Sequence, residues 1–131
     1  MMKKRKAHVT VIKEGVGYSV TSTVENQFIA TEAETFEKLN AGILDALNFT
    51  FEEFDVEYSL DDLRFKFDLE SFFDFYKVIN AKALSERIGM NQSLLAQYIK
   101  GIKKPSPAQT KRILEGVQQI GRELTEVSFL L

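Results

Sequence analysis

An α+β fold is predicted for this 131-residue chain: a small sheet and one helix in the first half, and helices through most of the second. Three observations carry that reading. Residues 8–33 alternate apolar and polar side chains around breaks that hold glycine or asparagine. Phe36 to Phe54 places apolar residues at intervals of three and four. From Asn80 to Leu124 the chain is a succession of helix caps, apolar helical positions and stops.

The elements follow in order. His8 to Glu14 reads as a first strand, and after Gly15 and Gly17 the run Tyr18 to Val24 reads as a second, so the two form a hairpin. Phe28 to Ala33 supplies a third strand beyond Asn26. Thr35 offers an N-cap to an amphipathic helix that carries Phe36, Leu39, Ile43, Ala46, Leu47, Phe51 and Phe54 on one side, able to cover one face of the sheet. This makes a β-β-β-α unit over residues 1–55. Residues 56–70 read as a linker with a strand: an acidic connection around a short strand at Val56 to Leu60, then a better strand candidate at Leu63 to Leu69. In the third part, residues 71–131, Ser71 is expected to cap a helix through Phe72, Phe73, Phe75, Tyr76 and Ile79.

Asn80 then caps a helix bearing Leu84 and Ile88 that stops at Gly89. Asn91 caps another, with Leu94, Leu95, Tyr98 and Ile99, ended by Gly101. The turn between them is too tight for independent packing, so the pair must cross and share a core. Pro105 and Pro107 suit a loop and its exit into a last helix, capped by Ser106 and expected to bury Ile113, Leu114, Val117, Ile120 and Leu124. Val127 to Leu131 is an apolar, β-prone run, expected as a strand paired with Leu63 to Leu69 in the same or another subunit.

Composition narrows the function. With 44% hydrophobic and 27% charged residues the chain is of ordinary globular make-up, and the absence of Cys excludes disulfides, Cys-ligated zinc and thiol nucleophiles. The opening MMKKRK has the charge of a signal peptide, but Thr10, Lys13 and Glu14 interrupt the apolar run that should follow, so no secretion signal is expected. No window approaches the roughly 20 apolar residues of a membrane span. A cytoplasmic location is the expectation, with no membrane partner. Charge is unevenly placed: residues 1–79 hold 9 Lys+Arg against 15 Asp+Glu, and residues 80–131 hold 8 against 4. The cationic part suits phosphate, and the acidic part suits a basic protein partner.

The two helices meeting at Gly89 form a helix-turn-helix pattern, in which the start of the second helix faces outward into the DNA major groove. Gln92, Ser93 and, one turn on, Gln97 stand there; glutamine can donate to and accept from adenine in one bidentate pair. Lys100, Lys103 and Lys104 are placed to meet backbone phosphates, as is Lys111 at greater remove.

From Asn80 to Ile113, with LSERIGMNQSLLAQYIKGIKKPSPAQTKRI as its densest part, the sequence resembles the Cro-type helix-turn-helix of phage repressors and bacterial regulators. By that resemblance Asn91, Gln92, Ser93 and Gln97 fall where the family touches bases or adjacent phosphates. Ala81 departs from it, standing where many relatives keep a phosphate-binding polar side chain. A β-β-β-α unit joined to such a module, together with GYSV, FIATEAETF and LRFKFDLESFFDFY, is similar to HicB-type antitoxins of the form found in Bacteroidetes. The resemblance implies a partial ribonuclease-H-like first domain that neutralises a small basic ribonuclease toxin (HicA-like) of double-stranded-RNA-binding fold. It also implies a second domain that represses the operon by binding operator DNA as a homo-oligomer, a dimer or a dimer of dimers. The alternative is a stand-alone helix-turn-helix regulator whose first domain senses a ligand or dimerises.

No enzyme activity, cofactor or metal is expected. His8 is the one histidine and reads as structural or solvated, and Glu52/Glu53 and Asp61/Asp62 read as a solvated connection, since two-metal chemistry needs carboxylates converging from several elements. The MKKRK run reads as a solubilising tail, and Phe72, Phe73, Phe75 and Tyr76 as core aromatics.

Overall fold

In the computed structural model, which describes residues 6–131, the alternating stretch becomes β1 (Ala7–Lys13), β2 (Tyr18–Val24) and β3 (Gln27–Ala33), an antiparallel meander. The basic run at residues 1–5 lies outside the described residues. Val24 pairs with Gln27, so Glu25 and Asn26 alone make the second reversal, with φ of 49° and 65°. Two successive positive-φ residues twist a two-residue loop in the sense of the flanking strands.

Thr35 caps α1 (Phe36–Thr50), its hydroxyl accepting from the Lys38 N–H at 3.2 Å. Leu39, Ile43 and Leu47 are fully buried with Val9, Val11 and Val20, the inward residues of alternating strands. Each such side chain contributes about 1.5–3 kcal/mol of burial. The helix stops four residues before Phe54: Phe51 closes it, a 3-10 turn covers Glu52–Phe54, and Asp55 takes φ 55°. No strand forms at Val56 to Leu60. Instead the Asn48 side chain accepts from the Tyr58 N–H at 2.6 Å and donates to the Tyr58 carbonyl at 3.2 Å, standing in for a neighbouring strand.

The strand expected in a linker is β4 (Leu63–Phe67), and it belongs to the sheet. It runs parallel to β1, Ala7 opposite Leu63 and Val11 opposite Phe67, giving the order β3-β2-β1-β4. The hairpin leaves one edge of β1 open, and this register sets Leu63, Phe65 and Phe67 on the face that holds Ala7, Val9 and Val11. The first unit is therefore β-β-β-α-β, and the chain divides into two compact units after Phe72, with residues 56–70 inside the first. The cap of α2 (Leu69–Phe75) also differs from expectation. Asp68 accepts from the Ser71 N–H at 2.7 Å, while Ser71 is buried and its hydroxyl accepts from the Lys13 N–H at 2.8 Å. The Asp68 cap starts the helix earlier, and the helix ends at Phe75, short of Ile79. Phe72, Phe73, Phe75 and Tyr76 are half-buried.

The second unit holds α3 (Ala81–Ile88), α4 (Gln92–Ile99) and α5 (Pro107–Thr125), each with the N-cap anticipated from sequence. Asn80 accepts from Ala83, Asn91 from Leu94 and Ser106 from Gln109. Only Leu84, Ser85, Met90, Leu95 and Ile113 are buried here. Of the five apolar residues expected to be covered on α5, Ile113 is buried and Val117 and Ile120 are half-buried, while Leu114 and Leu124 are exposed. Val127 to Leu131 forms no strand. A strand needs a neighbour's backbone ladder, and among the described residues this run has none beside it; β4 pairs with β1 alone and stands at an edge of the sheet. The fold is thus α+β, a four-stranded mixed sheet followed by helices.

Candidate nucleic-acid interface

The turn between α3 and α4 is built by local chemistry. Gly89 sits at φ 67°, a conformation costly for any residue with a Cβ, and its N–H and that of Met90 return to the Glu86 and Ser85 carbonyls at 3.3 and 2.8 Å. Met90 turns inward and is buried. The guanidinium of Arg112, from α5, donates to the carbonyls of Ile88 and Gly89 at 2.7 and 2.8 Å, placing a cation on the negative end of α3. A second tie joins the same helices: Arg87 and Glu123 form a two-bonded pair at 3.0 and 2.7 Å. The bond from Arg87 holds the Glu123 carboxyl below its ordinary range, and the pair raises the Arg87 guanidinium above its own. Neither arginine carries a periodic signal that sequence could have used.

This scaffold fixes α4 with its first turn outward. Gln92 and Ser93 are exposed; Leu95 is fully buried on the opposite side. Ser93, Gln97 and Lys100 follow at intervals of four and three, which places them on one helical stripe. Gln97 is half-buried there and Lys100 is exposed. Asn91 is exposed too, but its side-chain oxygen is engaged by the cap, so its amide N–H₂ is the part left to face a ligand. At the far end of α4 the N–H groups of Ile102 and Lys103 both reach the Gln97 carbonyl, at 2.9 and 3.3 Å. That contact ties the exposed Lys103–Lys104 pair to the end of the helix. Lys111 stands apart, 3.9 Å from Glu115. The arrangement gives amide and hydroxyl groups at a helix start with ammonium groups beyond its end. Such groups can read polar edges while cations meet phosphate oxygens.

The first unit presents different chemistry. Phe49 is 76% exposed, and with Glu52, Asp55, Val56 and Glu57 it lines an open concavity of ≈ 570 Å³ at the end of α1. Phe54 is exposed on the adjoining turn. The sequence marks these acids and places Phe54 on the covered side of the helix, but does not single out Phe49. Asp62, one of the paired acids, is buried and accepts from the Ser59 N–H and hydroxyl, so it caps a turn. His8 is exposed on β1. Among the described residues no three His, Cys, Asp or Glu side chains are grouped as metal ligands, and no helix is long and apolar enough to cross a membrane.

No protein-family model, curated protein or solved structure matches this chain.

Proposed function

We propose that this protein is an antitoxin of the HicB type. Its second unit would be a Cro-type helix-turn-helix that represses its own operon by binding operator DNA as a dimer, and its first a partial ribonuclease-H-like domain that binds a small basic ribonuclease toxin. The observation that carries the reading is the stripe Ser93, Gln97 and Lys100 on α4, with Gln92 beside it and Lys103 and Lys104 held at its end. A short helix offers hydrogen-bonding side chains where base edges would lie, and cations where phosphates would lie. For the first unit the support is the exposed pairing of Phe49 and Phe54 with Glu52, Glu53, Asp55 and Glu57: apolar anchors in an acidic rim fit a cationic protein surface.

The test has two arms. Selection of preferred duplexes from a random pool should yield a defined site, and Gln92→Ala with Gln97→Ala should erase that preference while non-specific binding persists; preference unchanged in the double variant would defeat the assignment of α4. Where the neighbouring reading frame encodes a small basic protein, co-expression with it should give a stable complex that Phe49→Asp weakens. A defined DNA site without such a complex would leave a stand-alone regulator.

A further inference from the structure

The second unit leaves two apolar surfaces uncovered. One is a groove of ≈ 220 Å³ lined by Val78, Ile79, Ala83, Leu84, Ile120 and Leu124, with Arg87 on its rim. Val78 is 89% exposed and Leu124 63%. The other is the segment after α5, in which Val127, Phe129, Leu130 and Leu131 all stand in solvent, Phe129 at 86%. Large apolar side chains exposed together on one unit mark an interaction surface, whereas single exposed ones need no explanation. The buried core of this unit is correspondingly small, five side chains. Compact units with so little inside commonly complete their core with another subunit.

Groove and segment complement each other chemically, and they lie on the same unit. The segment leaves α5 only one residue after Thr125, while the groove includes Ile120 and Leu124 of that same helix. To enter its own groove it would have to reverse at once. The bonds from the Glu126 and Val127 N–H groups to the Glu123 and Leu124 carbonyls only close the helix end, and Ser128 is the one turn-prone residue beyond them. The β-branched and apolar residues of Val127 to Leu131 favour an extended course. An extended segment reaches a neighbour without reversing. We propose that two copies of this chain exchange Val127–Leu131, Phe129 of each entering the Val78–Leu124 groove of the other. The exchange is isologous, so it closes at two copies. It deepens the dimer in the function proposed above by giving it a surface. It does not require that the second unit bind DNA.

The chain contains no cysteine, so a pair of introduced thiols reports on this contact alone. Ala83 and Phe129 are both exposed, so changing them should leave the fold intact, as circular dichroism can verify. Mild oxidation of the full chain carrying Ala83→Cys and Phe129→Cys should give a covalent dimer on a non-reducing gel. An internally bridged monomer, an unlinked monomer or a ladder of higher species would each overturn the exchange. In a second measurement, sedimentation should find the unmodified chain dimeric, with Phe129→Asp and Ala83→Arg each raising the dimer dissociation constant about tenfold or more. Mixing those two variants should restore the dimer, since one contact is then intact and the other brings opposite charges together. Failure of the mixture to associate, or dimers that persist in both single variants, would overturn it. DNA is absent from both measurements, so their outcome is separate from that of the operator test.

Discussion

Gly116 of α5 lies so close to Ile88 of α3 that a Cβ at that position would overlap the Ile88 Cγ2 methyl, with Leu84 Cδ1 at 3.3 Å beyond it. In an open helix, glycine to alanine gains about 1 kcal/mol, whereas forcing a methyl into a filled contact costs about 1–3 kcal/mol. Crowding should win. Gly116→Ala is expected to lower the stability of the second unit by about 1 kcal/mol in urea unfolding. Ile88→Ala in the same chain should recover part of the loss. A Gly116→Ala chain as stable as the parent would mean that the helices do not meet so closely.

Arg112→Met keeps the aliphatic stem and removes both bonds to the turn carbonyls of Ile88 and Gly89. Water can reach these groups, so the cost should fall near the lower end for a charged hydrogen bond, about 1 kcal/mol. Faster amide exchange at Gly89 and Met90, with little change on β1 and β2, is the expected signature. Uniform exchange rates in parent and variant would assign Arg112 no part in holding the turn.

Lys103→Ala with Lys104→Ala should weaken binding to all duplexes alike. If both side chains meet phosphates, the slope of log K against log salt falls in magnitude by roughly 0.9 for each phosphate that is no longer neutralised. A titration across salt concentrations measures this directly, and an unchanged slope would remove the pair from the interface.

The Arg87–Glu123 pair makes one pH dependence specific. Glu123 is held below the ordinary carboxylate range, chiefly by the hydrogen bond from Arg87, so its folded pKa is depressed relative to the unfolded chain. Its stabilisation is present above the unfolded pKa and is lost as pH falls through the folded value. Both side chains are about half exposed, so the effect is small. Thermal unfolding at neutral pH and at pH well below the carboxylate range should show a gap between parent and Glu123→Gln that closes in acid. A gap that persists in acid would trace to something other than this pair.

What was legible in sequence was what local chemistry decides. Thr35, Asn80, Asn91 and Ser106 each cap the helix that follows, because a short polar side chain satisfies an N–H three residues on. Gly89 stops α3 for an equally local reason. The outward residues Gln92 and Ser93 followed from those boundaries. Pairing across distance was not legible. Leu63–Phe67 alternates as any strand does, but nothing in its own residues names β1 as its partner or makes the pairing parallel. Asp68 and Ser71 are both good caps three residues apart, and the choice depends on Lys13, whose N–H takes the Ser71 hydroxyl. Apolar spacing on α5 predicts five covered residues but does not say what covers them; Ile113 is buried, and Leu114 and Leu124 remain open. Phe49 falls off the Leu39–Ile43–Leu47 stripe, two positions after Leu47, so helical spacing gives it no place in the core, and it stands in solvent.

The parallel pairing of Ala7 with Leu63 also sets the order in which the molecule can mature during synthesis. The β1–β2–β3 meander needs only neighbours in the chain, but the second edge of β1 stays bare until the ribosome has delivered residues 63–67. Closing that long loop carries an entropic delay that the short-range packing of α3, α4 and α5 does not face. The helical part, although made last, has the faster assembly available to it. The sheet, although begun first, spends that interval with a raw edge on which a nascent chain can stick to its neighbours.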